Sequence, residues 1–326
     1  MQTYLVTGGA GFIGSHLCNS LIEQKNKVIN IDNFVPFYDP KIKNNNVKSL
    51  INHKDYQLYH LDIRDKSGLK KVFEQNNINA VIHLAAMAGV RPSIQNPILY
   101  EEVNVEGTIN VLDCIKEYGV SKLVFGSSSS VYGNCDCSHP FKEDQALGPL
   151  ISPYAITKKS GEDYCKLYHH LYHINTIALR FFTVYGPGQR PDLAIHKFTK
   201  MISDDQPIPF YGDGTSIRNY SYVADIINGI NLSIQYLNIN KDIYEVINLS
   251  GDRSVTLQEV LNYIEEGLGK KALVEQLPMQ PGDVSGTNAD ISKARNLLGY
   301  IPNTRFEEGI KNFIQWFKTN EQHPRA

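Results

Sequence analysis

Residues 3–14 read TYLVTGGAGFIG. An apolar run, Tyr4–Thr7, enters a turn marked by Gly8, Gly11 and Gly14, and an amphipathic segment, Phe12–Glu23, follows. Glycines have no side chain, so the backbone can turn tightly and come close to a pyrophosphate. The start of the following helix, at Phe12 and Ile13, adds free N–H groups and the positive end of a dipole. A glycine triplet alone is a weak signal. Set between a strand and a helix, with a second strand Val28–Asp32 behind it, it predicts a dinucleotide-binding unit. Asp32 ends that second strand, beside Asn33. A carboxylate there accepts both ribose hydroxyls of NAD and repels the extra phosphate of NADP, so NAD is the expected cofactor.

Further strand-like runs follow at Gln57–Leu61, Ala80–Leu84, Leu123–Ser127 and Thr176–Leu179, with helical patterns such as Val103–Tyr118 between them. Strands alternating with helices predict an α/β fold of Rossmann type, a doubly wound parallel sheet. After Gly186 the alternation stops, and Pro187, Pro191, Pro207 and Pro209 punctuate the chain. Helical pieces at Ile226–Leu237, Leu257–Leu268 and Phe306–Phe317 and a strand at Ile243–Leu249 are expected. The expected division is a first lobe over 1–185, rejoined by segments near 220–250, and a smaller C-terminal α/β lobe that binds substrate over 186–326.

Ligands of such sheets gather outside the carboxyl ends of the strands. Asp62 and Ile63 follow the third strand, where a carboxylate can meet adenine. Leu84, Ala85 and Ala86 end the fourth, where small side chains leave room for a cofactor. Ser127–Ser130 close the fifth. Tyr154 and Lys158 then stand at i and i+4 after Ser152-Pro153, on one face of a helix. An ammonium near a phenol favours the phenolate. Moving a phenol from about 10 to about 7 corresponds to about 4 kcal/mol of differential stabilisation. The pair therefore predicts a base usable at neutral pH, with a serine of the 127–130 run placed to bond the reacting hydroxyl.

The bulk numbers fit this reading. The 326 residues suffice for a full core, and 42% hydrophobic and 20% charged residues are ordinary for a globular chain. A formal charge of −2 with no basic cluster gives no reason to expect nucleic acid. No run is apolar enough for a membrane span, and MQTYLVTGG has no secretory pattern, so a cytoplasmic protein is expected. Cys18, Cys114, Cys135, Cys137 and Cys165 read as reduced thiols, and His169, His170 and His173 as a solvated face; no metal is expected.

The motifs TGGAGFIGSH, HLAAMAGVRPS, SSSSVYG, YAITK and LRFFTVYGP together resemble the extended short-chain dehydrogenase/reductase family, over nearly the whole chain. Its epimerases and dehydratases act on nucleotide sugars. DNFVPFYDPKIK, AGVRPS and VYGPGQRPDLAIHKFTK are similar to the group of UDP-glucuronate 4-epimerases within it. The resemblance implies Tyr154 as base, Lys158 as its partner and Ser128 as the hydroxyl-binding serine. It also implies a pyrophosphate at Gly8, Gly11 and Gly14, a ribose at Asp32, and Arg218 on the nucleotide diphosphate. Asn219 departs from the acid usual after that arginine. Dimers are usual in such relatives, so a homodimer is expected.

The family's dehydratases carry an Asp-Glu pair where this chain has Ser129 and Ser130. Protonating a departing hydroxyl needs an acid, and serine is a poor one. Epimerisation through a 4-keto sugar is therefore expected. A 4-keto uronate is a β-keto acid prone to lose CO2, so its carboxylate has to be held. Ser129, Ser130, Thr183 and Arg190 are the expected grip, Arg190 pairing the carboxylate directly, with Arg91 a second candidate for substrate contact. The rival readings are an epimerase of UDP-glucose or UDP-N-acetylglucosamine, a UDP-glucuronate decarboxylase, and an NAD-binding protein without activity.

Overall fold

The computed structural model describes residues 1–278 and 286–320. The strands β1 (Thr3–Thr7), β2 (Lys27–Asp32), β3 (Tyr56–His60), β4 (Ala80–His83), β5 (Lys122–Ser128) and β6 (Asn175–Phe181) come first. They are followed by β7 (Thr183–Tyr185), β8 (Ile208–Tyr211), β9 (Ile217–Tyr222), β10 (Tyr244–Leu249), β11 (Ser254–Thr256) and β12 (Val274–Leu277). Seven strands form one sheet in the order β10-β6-β5-β4-β1-β2-β3, every pair parallel. The fold is a Rossmann-type doubly wound α/β sheet. The strand order reverses beside β1, and the crevice at such a switch point is where ligands bind.

The strands are apolar on both faces, as a sheet covered on both sides requires. Val6, Ile82 and Val124 point to one face, under the helices Phe12–Glu23 and Val223–Ile239. Leu5, Val81 and Phe125 point to the other, under Lys66–Gln75, Gly107–Glu117 and Pro153–Tyr172. Each such side chain, fully buried, contributes about 1.5–3 kcal/mol. β10 comes from late in the chain and extends the sheet beside β6.

β11-β9-β7 and β12-β8 form two small sheets. Around them Ile195, Phe198, Val260, Ile264, Phe306 and Phe313 bury a separate apolar cluster. The helix Leu257–Leu268 starts with a reciprocal cap: Glu259 N–H donates to Thr256 Oγ1 (3.1 Å), and Thr256 N–H donates to the Glu259 carboxylate (2.8 Å).

Two expectations change in detail. The segment read as one helix over Val103–Tyr118 is a wider turn at Glu102–Glu106 running into an α-helix at Gly107–Glu117. Its buried Asn104 turns inward and binds the backbone of Met87 on both sides. β7, β8, β9, β11 and β12 were not legible as strands. They are three to six residues long, and their partners come from distant parts of the chain. Among the described residues no helix is long and apolar enough to cross a membrane, and no group of three or more His, Cys, Asp or Glu is placed to hold a metal. Among the described residues no two cysteines form a disulfide.

Candidate active site

A cavity of about 490 Å3 opens at the carboxyl ends of β1, β2, β4 and β5. Gly8, Gly11, Phe12, Ile13 and Gly14 form one wall. Gly8 has φ +74°, and a Cβ there would stand 2.8 Å from Ala85 N; one on Gly14 would stand 2.2 Å from Gly8 O. Side chains would thus close the turn that the first helix uses to present its N-terminus. This cradle of bare backbone beside a helix start fits a pyrophosphate.

Asp32 lies next to it, buried, and is more heavily engaged than the sequence suggested. Its carboxylate accepts from Ala10 N–H (3.1 Å), Phe34 N–H (2.9 Å) and Lys43 Nζ (2.9 Å). Lys43 lines the cavity and was not among the expected site residues. It comes from the short helix Pro40–Val47, which Asp39 caps through Lys41 N–H (2.9 Å). The capping Asp39-Pro40 pair was the available signal. Asn33, Ile63 and Arg64 also line this end. Asp62 does not. It accepts from Asn33 (2.8 Å) and from Arg64. Burial pushes its carboxyl up, but these bonds outweigh burial and bring it down to about 2.

Leu84, Ala85 and Ala86 line the cavity past β4. Asn104 fixes this loop. It accepts from Met87 N–H (2.7 Å), donates to Met87 O (2.9 Å), and donates to Thr157 Oγ1 (3.0 Å) between Tyr154 and Lys158. A single buried amide thereby ties the cofactor-side loop to the helix Pro153–Tyr172. Nothing in the linear pattern around Asn104 announced this.

That helix starts as its residues require. Ser152 caps it by accepting from Ala155 N–H (3.1 Å), and Pro153 takes the first turn. Tyr154 and Lys158 both reach the cavity, with Ser128, Ser129 and Ser130 opposite. Lys158 Nζ donates to Gly126 O (2.7 Å) and lies 5.2 Å from the centre of the Phe125 ring. Burial lowers it to about 8. Burial also raises the Tyr154 phenol, while the hydrogen bond with Ser128 and the charge of Arg190 pull it back. The lysine was expected to depress this phenol. In the structure its ammonium is turned to a carbonyl, and Ser128 and Arg190 supply the lowering.

Behind the pair, Glu162 sits one turn beyond Lys158 and is buried. It accepts from Ser127 Oγ (2.6 Å) and takes both Arg180 Nε and Nη2 at 2.9 Å. Arg180 in turn lies 4.7 Å over the Tyr132 ring. This network holds the end of β5 against the helix, and the sequence reading missed it.

Thr183 and Arg190 line the cavity on the side of the small sheets. Two other expected residues lie outside its lining. The Arg91 guanidinium stacks 5.4 Å over the Tyr211 ring, and Arg218 Nη1 donates to Ile217 O (2.8 Å). Asn219, beside Arg218, is buried and accepts from Ala289 N–H (2.8 Å).

A nucleotide cradle at a switch point, with a phenol, an ammonium and a serine converging beside it, defines an enzyme of the extended short-chain dehydrogenase/reductase class. The family model described as GDP-mannose 4,6 dehydratase matches residues 5–313, and the chain belongs to that family. A UDP-glucuronate 4-epimerase of Thermodesulfobacterium geofontis is 42% identical over 98% of this chain and 97% of its own length. A crystal structure of UDP-glucuronic acid 4-epimerase from Bacillus cereus, with UDP-glucuronic acid and NAD, superimposes with a TM-score of 0.92 at 37% identity. It covers 98% of this chain and 99% of that one. Thermus thermophilus UDP-glucose 4-epimerase with NAD gives 0.88 at 31% identity, over 98% and 100%.

Proposed function

We propose that this protein is an NAD-dependent UDP-sugar 4-epimerase that interconverts UDP-glucuronate and UDP-galacturonate through a 4-keto sugar. The observation that carries this reading is the content of the cavity: Tyr154 and Lys158 face Ser129 and Ser130, where a dehydratase needs acids, and a guanidinium, Arg190, stands beside them. The relatives described above support it.

Tyr154 takes the proton of the sugar 4-hydroxyl, which Ser128 holds; Ser128 and Arg190 favour the phenolate, and Lys158 stands one helical turn on as its cationic partner. When bound, NAD would supply the acceptor and then the donor for the C4 hydride, and reduction of the ketone from its opposite face inverts that centre. Between the two transfers the sugar turns over in the cavity. Ser129, Ser130, Thr183 and Arg190 hold the uronate carboxylate, so that the bond to it overlaps poorly with the ketone and CO2 is retained.

Gly8, Gly11, Phe12, Ile13 and Gly14 take the cofactor's pyrophosphate, Asp32 and Asn33 its ribose, and Asp62 and Ile63 its adenine end; Leu84, Ala85 and Ala86 make room for it. Arg218 is assigned to the nucleotide diphosphate of the substrate, and Arg91 is a second candidate for substrate contact. In this reading residues 1–185 with the returning strand β10 bind NAD, and most of 186–326 binds the nucleotide sugar. The protein works in the cytoplasm as a homodimer.

The test is product analysis by NMR after incubation with UDP-glucuronate and far less than one equivalent of NAD. An epimerase regenerates its cofactor, so UDP-galacturonate accumulates well beyond the NAD supplied. UDP-xylose with CO2, or conversion that stops at the amount of NAD, contradicts the reading.

A further inference from the structure

Arg190 is held in a particular orientation. A guanidinium can grip a carboxylate through two edges, the side edge Nε–Nη2 and the end edge Nη1–Nη2. Asp192 occupies the side edge: Nε donates to Oδ1 at 2.9 Å and Nη2 to Oδ2 at 2.6 Å. The guanidinium also lies 5.0 Å over the Phe37 ring. The carboxylate sets its direction and the ring restricts its tilt. Asp192 approaches from the rim, with 41% of its side chain exposed against 16% for Arg190, and Arg190 is the member that lines the cavity. The end edge makes no hydrogen bond among the described residues and retains three N–H groups, two on Nη1 and one on Nη2.

We infer that Asp192 is a positioning residue: it takes the side edge of Arg190 so that the end edge is presented to the carboxylate of a uronic-acid substrate, and it thereby sets the preference for acidic over neutral UDP-sugars. This rests on the epimerase reading above. Two consequences follow from charge alone. With Arg190 present, removing the Asp192 carboxylate frees the fork to rotate and weakens the two-bond grip on substrate. With Arg190 absent, Asp192 is a bare negative charge facing a negative ligand, and removing it no longer hurts.

The experiment is a binding cycle measured calorimetrically on NAD-loaded protein. All variants are made on a Tyr154→Phe background, so that the ligand is not converted. UDP-glucuronate and UDP-glucose are the two probes. The parent is expected to favour UDP-glucuronate. Asp192→Asn is expected to weaken UDP-glucuronate about tenfold while leaving UDP-glucose within about twofold, which also shows that the variant is folded. Asp192→Glu, which restores a carboxylate, recovers part of the loss. On an Arg190→Ala background the same Asn substitution leaves UDP-glucuronate binding equal or tighter. An unchanged preference in Asp192→Asn, or an equal loss with and without Arg190, overturns the inference and leaves the epimerase reading standing. A parent that binds both sugars equally overturns the uronate reading, and this inference with it.

Discussion

Asp32 and Lys43 form a buried ion pair, with the lysine side chain 10% exposed and the carboxylate 3%. In the proposed site the carboxylate serves a ribose, and its charge also restrains a cation that would otherwise attract phosphate. Asp32→Ser is therefore predicted to weaken NAD binding and to raise the affinity for NADP relative to NAD, because Lys43 is left uncompensated at the ribose edge. Titration of the variant with both dinucleotides checks this. An unchanged NADP-to-NAD ratio contradicts it. Asn104 and Glu162 were not legible in the sequence, and Lys43 showed only through the Asp39-Pro40 start of its helix. Each acts through a tertiary contact with a residue far away in the chain or on another element, which no local pattern records. That Gly8, Gly14, Tyr154 and Lys158 line one cavity was legible, because a bare turn after a strand and a pair one helical turn apart are local geometry, and local geometry is written in spacing.

At the scale of elements, the end of β4 is held by an uncharged histidine. His83 is buried, its Nδ1 2.6 Å from Thr7 Oγ1 and its Nε2 3.0 Å from Thr108 Oγ1. Burial first, and the charge of Lys158 second, lower it to about 3. Its ordinary value in an unfolded chain is about 6.5. The unfolded state therefore takes up a proton first as pH falls, and stability present above about 6.5 is lost progressively toward about 3. At pH 5 this amounts to about 2 kcal/mol. Urea unfolding at pH 7 and pH 5 should show that loss in the parent and a smaller one in His83→Gln, which retains hydrogen-bonding capacity without titrating. Equal losses in both contradict the assignment. The long elements around β4 were legible because each carries its own signature, a continuous apolar run for a strand covered on both faces and a 3.6-residue period for a helix. The short strands β7 to β9 were not, since three to six residues carry too little pattern and their pairing is decided by the second apolar cluster.

Across the whole molecule, the parallel sheet and the segment that follows it bring residues from positions 8 to 193 to one crevice, and the late strand β10 completes the sheet's edge. An apolar stripe stays exposed among the described residues. Ile156, Leu167 and Leu171 are 48%, 45% and 52% exposed, and their spacing puts them along one side of the helix Pro153–Tyr172. Ile98, on the neighbouring Pro97–Glu101 turn, is 73% exposed. The homodimer reading puts this stripe at the subunit interface. Sedimentation is predicted to give twice 36.7 kDa for the parent and 36.7 kDa for Ile156→Lys/Leu171→Lys. A parent that sediments as a monomer, or a double variant that stays dimeric, contradicts it. The family's dehydratase description does not decide the reaction, because the shared sheet positions the catalytic pair in the same way whatever stands at 129 and 130.

In the proposed reaction one phenol, that of Tyr154, carries the proton whose removal opens the C4 centre to oxidation. The most direct measurement follows UDP-galacturonate formation by NMR in the parent and in Tyr154→Phe, at equal UDP-glucuronate and equal bound NAD. The rate is expected to fall about 10²- to 10⁴-fold in the Phe variant, with the cofactor still bound. Interconversion at the parental rate in the Phe variant would contradict it.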